Sequence, residues 1–415
     1  MKDRNENRPG YKKTKVGWIP EEWDFVPLSK DINLLSGQHI DAKYCSEEPH
    51  GIPYVTGPTC FKYGRVIHNT FTTSPSKMCR ENDILVTVKG SGTGSIAKAD
   101  KSYCISRQIM AVRSHMWSQE FICFRFMFDT KKYKHLSGGL IPGISREDIL
   151  SHCIPLPPLP EQKKIAEILS TWDKSIEQMR KIIGAKKRRK KALMQQLLTG
   201  KKRLPGFVTS KGRKFYRFFD LPEDWECPQI RDFAREYSER NTGGDDWTVL
   251  ACSKHLGFVE SSKYFGKRVF SADTSNYKII RRGYFGYPSN HIEEGSIGLL
   301  LSHNIGIVSP IYTVFYCNES VIPEYLYSVF KTDTYRHIFA ISTNASVDRR
   351  GSLRWKAFSL IRVPLPSIKE QKAIVEVLNV ADNEIALMEK KLKGLEKQKR
   401  GLMQKLLTGE VRVKL

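Results

Sequence analysis

Pro155 to Gly200 reads PLPPLPEQKKIAEILSTWDKSIEQMRKIIGAKKRRKKALMQQLLTG, and Pro364 to Gly409 reads PLPSIKEQKAIVEVLNVADNEIALMEKKLKGLEKQKRGLMQKLLTG. The two stretches align without a gap, every position lying 209 residues before its counterpart. Glu161-Gln162-Lys163 falls on Glu370-Gln371-Lys372, and Leu197-Leu198-Thr199-Gly200 on Leu406-Leu407-Thr408-Gly409. An internal repeat of this length dictates the architecture before any other feature does.

Each copy predicts one long helix. In the first, Ile165, Leu169, Trp172, Ile176, Met179 and Ile183 step by four and three. In the second, Ile374, Leu378, Ile385, Met388 and Leu392 do the same, with Ala381 completing the pattern. That alternation is the period of a coiled-coil seam. Pro160 suits a first helical turn, where its missing N–H costs nothing. Gly200 and Gly409 suit a left-handed stop. About forty residues at ~1.5 Å each give rods of roughly 60 Å. In the second copy Ser367-Ile368-Lys369 replaces Pro158-Leu159-Pro160, so its start is expected to fray or shift.

Trp18-Ile19-Pro20-Glu21-Glu22-Trp23 is echoed by Asp220-Leu221-Pro222-Glu223-Asp224-Trp225. The repeating unit is therefore a globular segment plus a rod, taken twice, with a pseudo-twofold relation. Four segments follow: 1–154 and 201–363 as globular domains, 155–200 as the first rod, and 364–415 as the second rod and tail. The fold class is α+β, mixed sheet and short helices with two long antiparallel helices. Ile52–Val55, Ile84–Val88, Ile109–Val112 and the whole of Gly306–Phe315 read as strands. Pro323–Phe339 reads as helix, and Phe121–Phe128 as either a short helix or a buried strand.

The 68 Lys and Arg against 44 Asp and Glu leave a net charge of +24, which favours a polyanion, nucleic acid being the commonest. The nine Cys contain no C-x-x-C pair, which supports neither a zinc site nor a disulfide framework and fits a reducing cytoplasm. No apolar run reaches the length of a membrane span. Catalytic patterns such as H-E-x-x-H and G-x-S-x-G are missing. Glu161-Gln162-Lys163 matches half of a nuclease carboxylate–lysine motif, but its place in a first helical turn in both copies favours capping and packing.

Candidate DNA contacts lie in loops. Lys89-Gly90-Ser91-Gly92-Thr93-Gly94-Ser95 fails the spacing of a phosphate-binding NTPase loop. It reads either as a phosphate or groove contact through Lys89, Ser91 and Thr93, or as a plain hairpin turn. Arg107 and Arg146 are further basic candidates. In the second domain Tyr287, Asn290, His291 and His303 are candidate base readers, with core packing as the other reading for the aromatic residues. Arg349, Arg350 and Arg354, around Gly351, could clamp phosphates or fork onto guanine, with a solvated loop as the other reading. The run Lys186-Lys187-Arg188-Arg189-Lys190-Lys191 lies inside the first rod, with Lys186 and Lys190 at seam positions. It reads as a locally opened seam over DNA or facing a partner's acidic helix.

The paired Pro-Leu-Pro…Glu-Gln-Lys openings and Leu-Leu-Thr-Gly endings resemble those of the specificity (S) subunits of type I restriction–modification systems, and the similarity covers essentially the whole chain. The resemblance implies two target-recognition domains, each reading half of a split duplex DNA sequence, with the rods as a spacer. It implies partners: two methyltransferase (M) subunits carrying S-adenosylmethionine, and restriction (R) subunits using ATP and Mg2+. It further implies that this chain catalyses nothing and binds no cofactor or metal of its own. A coiled-coil adaptor without DNA specificity is the competing class.

Overall fold

The computed structural model describes residues 5–90, 92–136, 143–210, 212–344 and 352–415. The two rods are helices Leu159–Leu197 and Ile368–Leu407. The second begins at the residue that matches the first, so the expected fraying or shift does not occur. Ser367 substitutes for the lost proline by accepting the Glu370 N–H on its hydroxyl at 3.3 Å. Seam residues are buried (Ile165, Leu169, Ile176, Ile183, Ile374, Leu378, Ile385) or half-buried (Trp172, Met179, Met388, Leu392).

The chain forms two compact units, and each cuts across both rods. One comprises Met1–Arg180 with Lys390–Leu415, the other Lys181–Glu389. Each unit is thus a globular lobe with a half-length of each helix. Within the first, Asp173 meets Lys399 at 2.5 Å and Arg180 meets Glu396 at 2.6 Å. Within the second, Lys186 meets Glu384 and Lys190 meets Asp382, both at 2.5 Å. In both, rising numbers on one helix meet falling numbers on the other, so the helices are antiparallel.

The lobes share a strand order. In the first, Ile109–Ser114 pairs antiparallel with Ile32–Ser36 on one side and Ile84–Thr87 on the other, and Ile84–Thr87 pairs onward with Ile96–Lys98. In the second, Tyr312–Cys317 pairs with Ala234–Tyr237 and Phe285–Pro288, and Phe285–Pro288 with Gly298–Leu299. The single strand expected over Gly306–Phe315 is instead two, Ile305–Val308 and Tyr312–Cys317, in different sheets. Ser309-Pro310 breaks the run, because proline has no N–H to give to a ladder. The expected helix Pro323–Phe339 is likewise two, Pro323–Phe330 and Asp333–Asn344. Phe121–Phe128 lies within helix Gln119–Leu136.

The repeated motifs meet at the ends of the rods. In the first unit the Glu161 carboxylate is buried and accepts the Trp23 indole N–H at 3.0 Å. Arg412, just past the end of the second rod, forks onto the same carboxylate at 2.7 and 2.8 Å and reaches Glu22 at 2.8 Å. In the second unit Glu370 accepts from Trp225 at 3.2 Å, and Arg203 forks onto it at 2.6 and 2.8 Å while also holding Asp224. Neighbouring glutamines tie the lobes on. Gln162 accepts the Ser118 N–H and donates to the Pro157 carbonyl; Gln371 accepts from Ile322 and donates to Pro366. Gly200 and Gly409 have φ of 64° and 71°, and a Cβ on either would lie within 2.5 Å of Pro222 or Pro20 respectively. Only glycine satisfies both the left-handed turn and the close approach. Glu161-Gln162 and Glu370-Gln371 are therefore structural, as their place in the helix start suggested.

Breaking a buried, hydrogen-bonded charge pair costs about 3–5 kcal/mol, because the remaining charge is stranded. The Arg203 side chain is 8% exposed and that of Arg412 is 37% exposed. Glu370→Ala is therefore expected to lower the urea midpoint of its unit more than Glu161→Ala does, since water can reach Arg412. Equal losses from the two variants would show that guanidinium burial does not set the cost.

Candidate nucleic-acid interface

The strand Ile84–Thr87 continues into Val88 and Lys89, where two other segments converge. The Ile144 N–H donates to the Val88 carbonyl at 2.9 Å, and Lys89 bridges to Gly143. The Val88 N–H donates to the Gln108 carbonyl at 2.8 Å. Since Thr87 pairs with Ile109, Lys89 lies opposite Arg107 on the extended ladder. Both side chains are exposed. The segment that carries Ser145 and Arg146 is thereby fastened beside them.

The second lobe repeats this junction. The Leu353 N–H donates to the Ser289 carbonyl at 2.8 Å, and the Ser289 N–H to the Ile311 carbonyl at 3.4 Å. Leu353 is Ile144 advanced by the 209-residue repeat. Pro288 pairs with Tyr312, so Asn290 stands where Lys89 stands, opposite Pro310 rather than an arginine. The pin brings Ser352–Arg354 beside Asn290 and His291. Arg354 and His291 are exposed, and Asn290 is half-buried.

The sequence candidates therefore divide. Lys89, Arg107, Asn290, His291 and Arg354 gather at equivalent junctions. Arg146 lies beside the first junction, but its guanidinium donates to the Leu34 carbonyl at 3.0 Å and the Ser36 hydroxyl at 3.2 Å. Thr93 is 4% exposed and its hydroxyl donates to the Gly90 carbonyl at 2.6 Å, so it holds the turn rather than a ligand. The glycine-rich segment is a hairpin turn; a Cβ at Gly92 would strike Pro58 at 2.3 Å. Tyr287 is fully buried, 4.7 Å from the Phe358 ring centroid, and burial drives its phenol well above the usual range. A base cannot reach it, so its place as a reader is corrected to core. Ser91, Arg349 and Arg350 lie outside the described residues.

Four of the six residues of the basic run in the first rod meet acids of this chain. Lys186, Lys187 and Lys190 meet Glu384, Glu389 and Asp382 of the second rod, and Lys191 meets Asp333. The acidic helix it faces belongs to the same chain. Among the described residues, His291, Glu293 and Glu294 place donor atoms within 4.8 Å of one another. His291 and Glu294 are exposed.

Sequence reading missed Arg203 and Arg412. The repeat itself carried the clue, since the two are 209 residues apart.

A family profile described as "Type I restriction modification DNA specificity domain" matches residues 20–185 and 262–397. The specificity subunit of the type I restriction enzyme MjaVIII from Methanocaldococcus jannaschii is 26% identical over 426 residues, covering 95% of this chain and 94% of that protein. The fold is similar to the crystal structure of a type I restriction–modification S subunit from M. genitalium, with a TM-score of 0.57, 16% identity and coverage of 98% and 99%. A chain from a structural study of complex assembly and conformational transition in a type I system also has a TM-score of 0.57, with 17% identity and coverage of 95% and 99%.

Lys89→Ala and Arg107→Ala should each weaken binding to duplexes of any sequence and flatten the slope of log K against log salt by about one unit, with a further loss on the duplex whose guanine either residue reads. Arg354→Ala is expected to act in the same way in the second lobe. Salt titrations on two unrelated duplexes measure this, and wild-type slopes in all three variants would remove these residues from the phosphate contacts.

Proposed function

Because the chain belongs to the type I restriction–modification DNA specificity family, we propose that it reads a bipartite, asymmetric duplex sequence, one half per lobe, and brings methyltransferase and restriction subunits to it. As a specificity subunit it is a DNA-recognition component and not itself an enzyme. The observation that carries the finer reading is the junction built twice with different side chains. The same hydrogen bonds present Lys89 and Arg107 in one lobe and Asn290 and His291 in the other. Lysine and arginine suit phosphate and guanine, whereas asparagine forks onto adenine. Equal frames with unequal readers favour two different half-sequences over a palindrome.

The paired helices then act as the spacer. Their solvent side retains apolar residues: within the second unit Ile182, Val380 and Leu387 are 44%, 68% and 69% exposed. Val380 and Leu387 are one heptad apart on one helix, a spacing that suits a further helix laid alongside. We assign that face to a methyltransferase subunit; the twofold plan calls for a second, on the first unit, where the matching positions Thr171, Gln178 and Lys391 are polar. S-adenosylmethionine, ATP and Mg2+ belong to the methyltransferase and restriction partners in this reading. Among the described residues no helix is long and apolar enough to cross a membrane, and the nine free thiols fit a cytoplasmic setting.

Inserting one heptad into each long helix keeps the seam in phase and lengthens the spacer by about 10 Å, close to three base pairs at ~3.4 Å each. Selection of random duplexes by the chain assembled with its methyltransferase subunit is expected to return the original half-sequences with a gap longer by about that amount. Changed half-sequences with the old gap would make the helices readers instead of spacers. An adaptor with no DNA specificity would return no enriched sequence at all.

A further inference from the structure

The first lobe carries a hairpin whose local chemistry is unfavourable by itself. Strands Phe61–Lys62 and Arg65–Val66 pair antiparallel, with Lys62 directly opposite Arg65. Like charges on directly paired positions repel. The two-residue turn is Tyr63-Gly64, with φ of 55° and 77°. Such a turn calls for Asn-Gly or Gly-Gly, and a bulky aromatic residue at positive φ is strained. Tyr63 is also 68% exposed, so core packing does not compensate.

Compensation comes from the first long helix. Arg65 forks onto Glu177, one limb at 2.7 Å. The Tyr63 ring faces the Arg180 guanidinium at 3.8 Å from the ring centroid. Arg180 is in turn held by Glu396 of the second helix at 2.6 Å. The hairpin therefore grips both helices of the first unit, directly and through Arg180. The same turn is fixed to the sheet. The Lys98 N–H donates to the Gly64 carbonyl at 2.9 Å, and Arg65 pairs with Lys98 in parallel register. Strand Ile96–Lys98 leads straight back through the glycine-rich turn to Lys89. A short covalent path thus joins the helix pair to the lobe's candidate DNA edge.

We propose that the Tyr63-Gly64 hairpin is a brace that fixes the angle of the first recognition lobe on the helix pair, and that it is therefore a determinant of the gap length between the two half-sequences. This rests on the bipartite reading above. Two local costs, a like-charge pair and a left-handed tyrosine, are retained exactly where the hairpin touches the helices. Conflicts of that kind mark positions kept for more than folding. The ion pair is largely exposed, with Arg65 at 65% and Glu177 at 27%, so it adds little to global stability. Its effect is on orientation.

The test uses the chain assembled with its methyltransferase subunit, on duplexes carrying both half-sequences with the gap varied one base pair at a time. Tyr63→Gly is the first variant. Glycine tolerates the turn's φ, so the thermal midpoint should hold or rise while the grip on Arg180 is lost. Preference for the wild-type gap over its neighbours should fall about three- to tenfold, in line with a lost cation–π contact. Arg65→Glu should relax the gap likewise, and adding Glu177→Arg should restore it. Unchanged gap preference in both Tyr63→Gly and Arg65→Glu, with both half-sequences still required, overturns the brace and leaves the bipartite reading standing. If the wild-type complex requires no pair of half-sequences, the bipartite reading fails and the brace fails with it.

Discussion

A buried carboxylate at the foot of each long helix is the contact on which the rest depends. Glu161 and Glu370 are each 1% exposed, and carboxyl oxygens buried that far need hydrogen-bond partners. The contact joins three separate places in the chain. The indole belongs to the segment entering the lobe, the guanidinium to the segment leaving the opposite helix, and the carboxylate to the helix start. The closure is cyclic: Arg203 follows the first helix and serves the second, while Arg412 follows the second and serves the first. Burial lowers and carboxylate hydrogen bonds raise the Arg203 pKa, and the carboxylates win; for Arg412 the Glu161 hydrogen bond leads, again upward. Lobe, helix start and helix end are thus fastened at one point, and the glycine–proline contacts at Gly200 and Gly409 leave little slack around it.

The helix pair shows how a near-symmetric repeat keeps its partners straight. The bridge between Lys190 and Asp382 recurs, advanced by the repeat, as Lys399 with Asp173. The other bridge does not simply recur. Arg180 meets Glu396 in the first unit and Lys187 meets Glu389 in the second, yet the repeat maps Arg180 onto Glu389 and Lys187 onto Glu396. A first helix paired with another first helix would therefore set Arg180 against Lys187. These exposed bridges each contribute at most about 1 kcal/mol. Their pattern of sign selects the first helix with the second and rejects like with like.

Periodicity made the helices legible, and the repeat made the twofold plan legible, because both are properties of spacing. The seam from Ile165 to Ile183 needs no knowledge of what surrounds it. Burial of a strand on both faces is different. Phe285–Pro288 is buried at every position, so alternation cannot separate a core tyrosine such as Tyr287 from a reader. The split of Gly306–Phe315 turns on one proline, whose effect depends on which sheet the strand joins. Lys89 and Arg107 were legible as basic loop residues, but their adjacency follows only from the ladder register. The latch arginines sit outside the periodic stretches, in tails that look unremarkable until paired with their carboxylates. The Tyr63-Gly64 hairpin is invisible for the same reason: its strands are two residues each.

Two equal frames holding unequal candidate contacts make, on the proposed reading, a definite demand on the DNA. Mapping methylated bases across a genome that expresses this chain with its methyltransferase subunit tests that demand directly. The account predicts a single motif of two different half-sequences at constant separation, lost when the chain is deleted. A palindromic motif, or a methylation pattern indifferent to the chain, would contradict it.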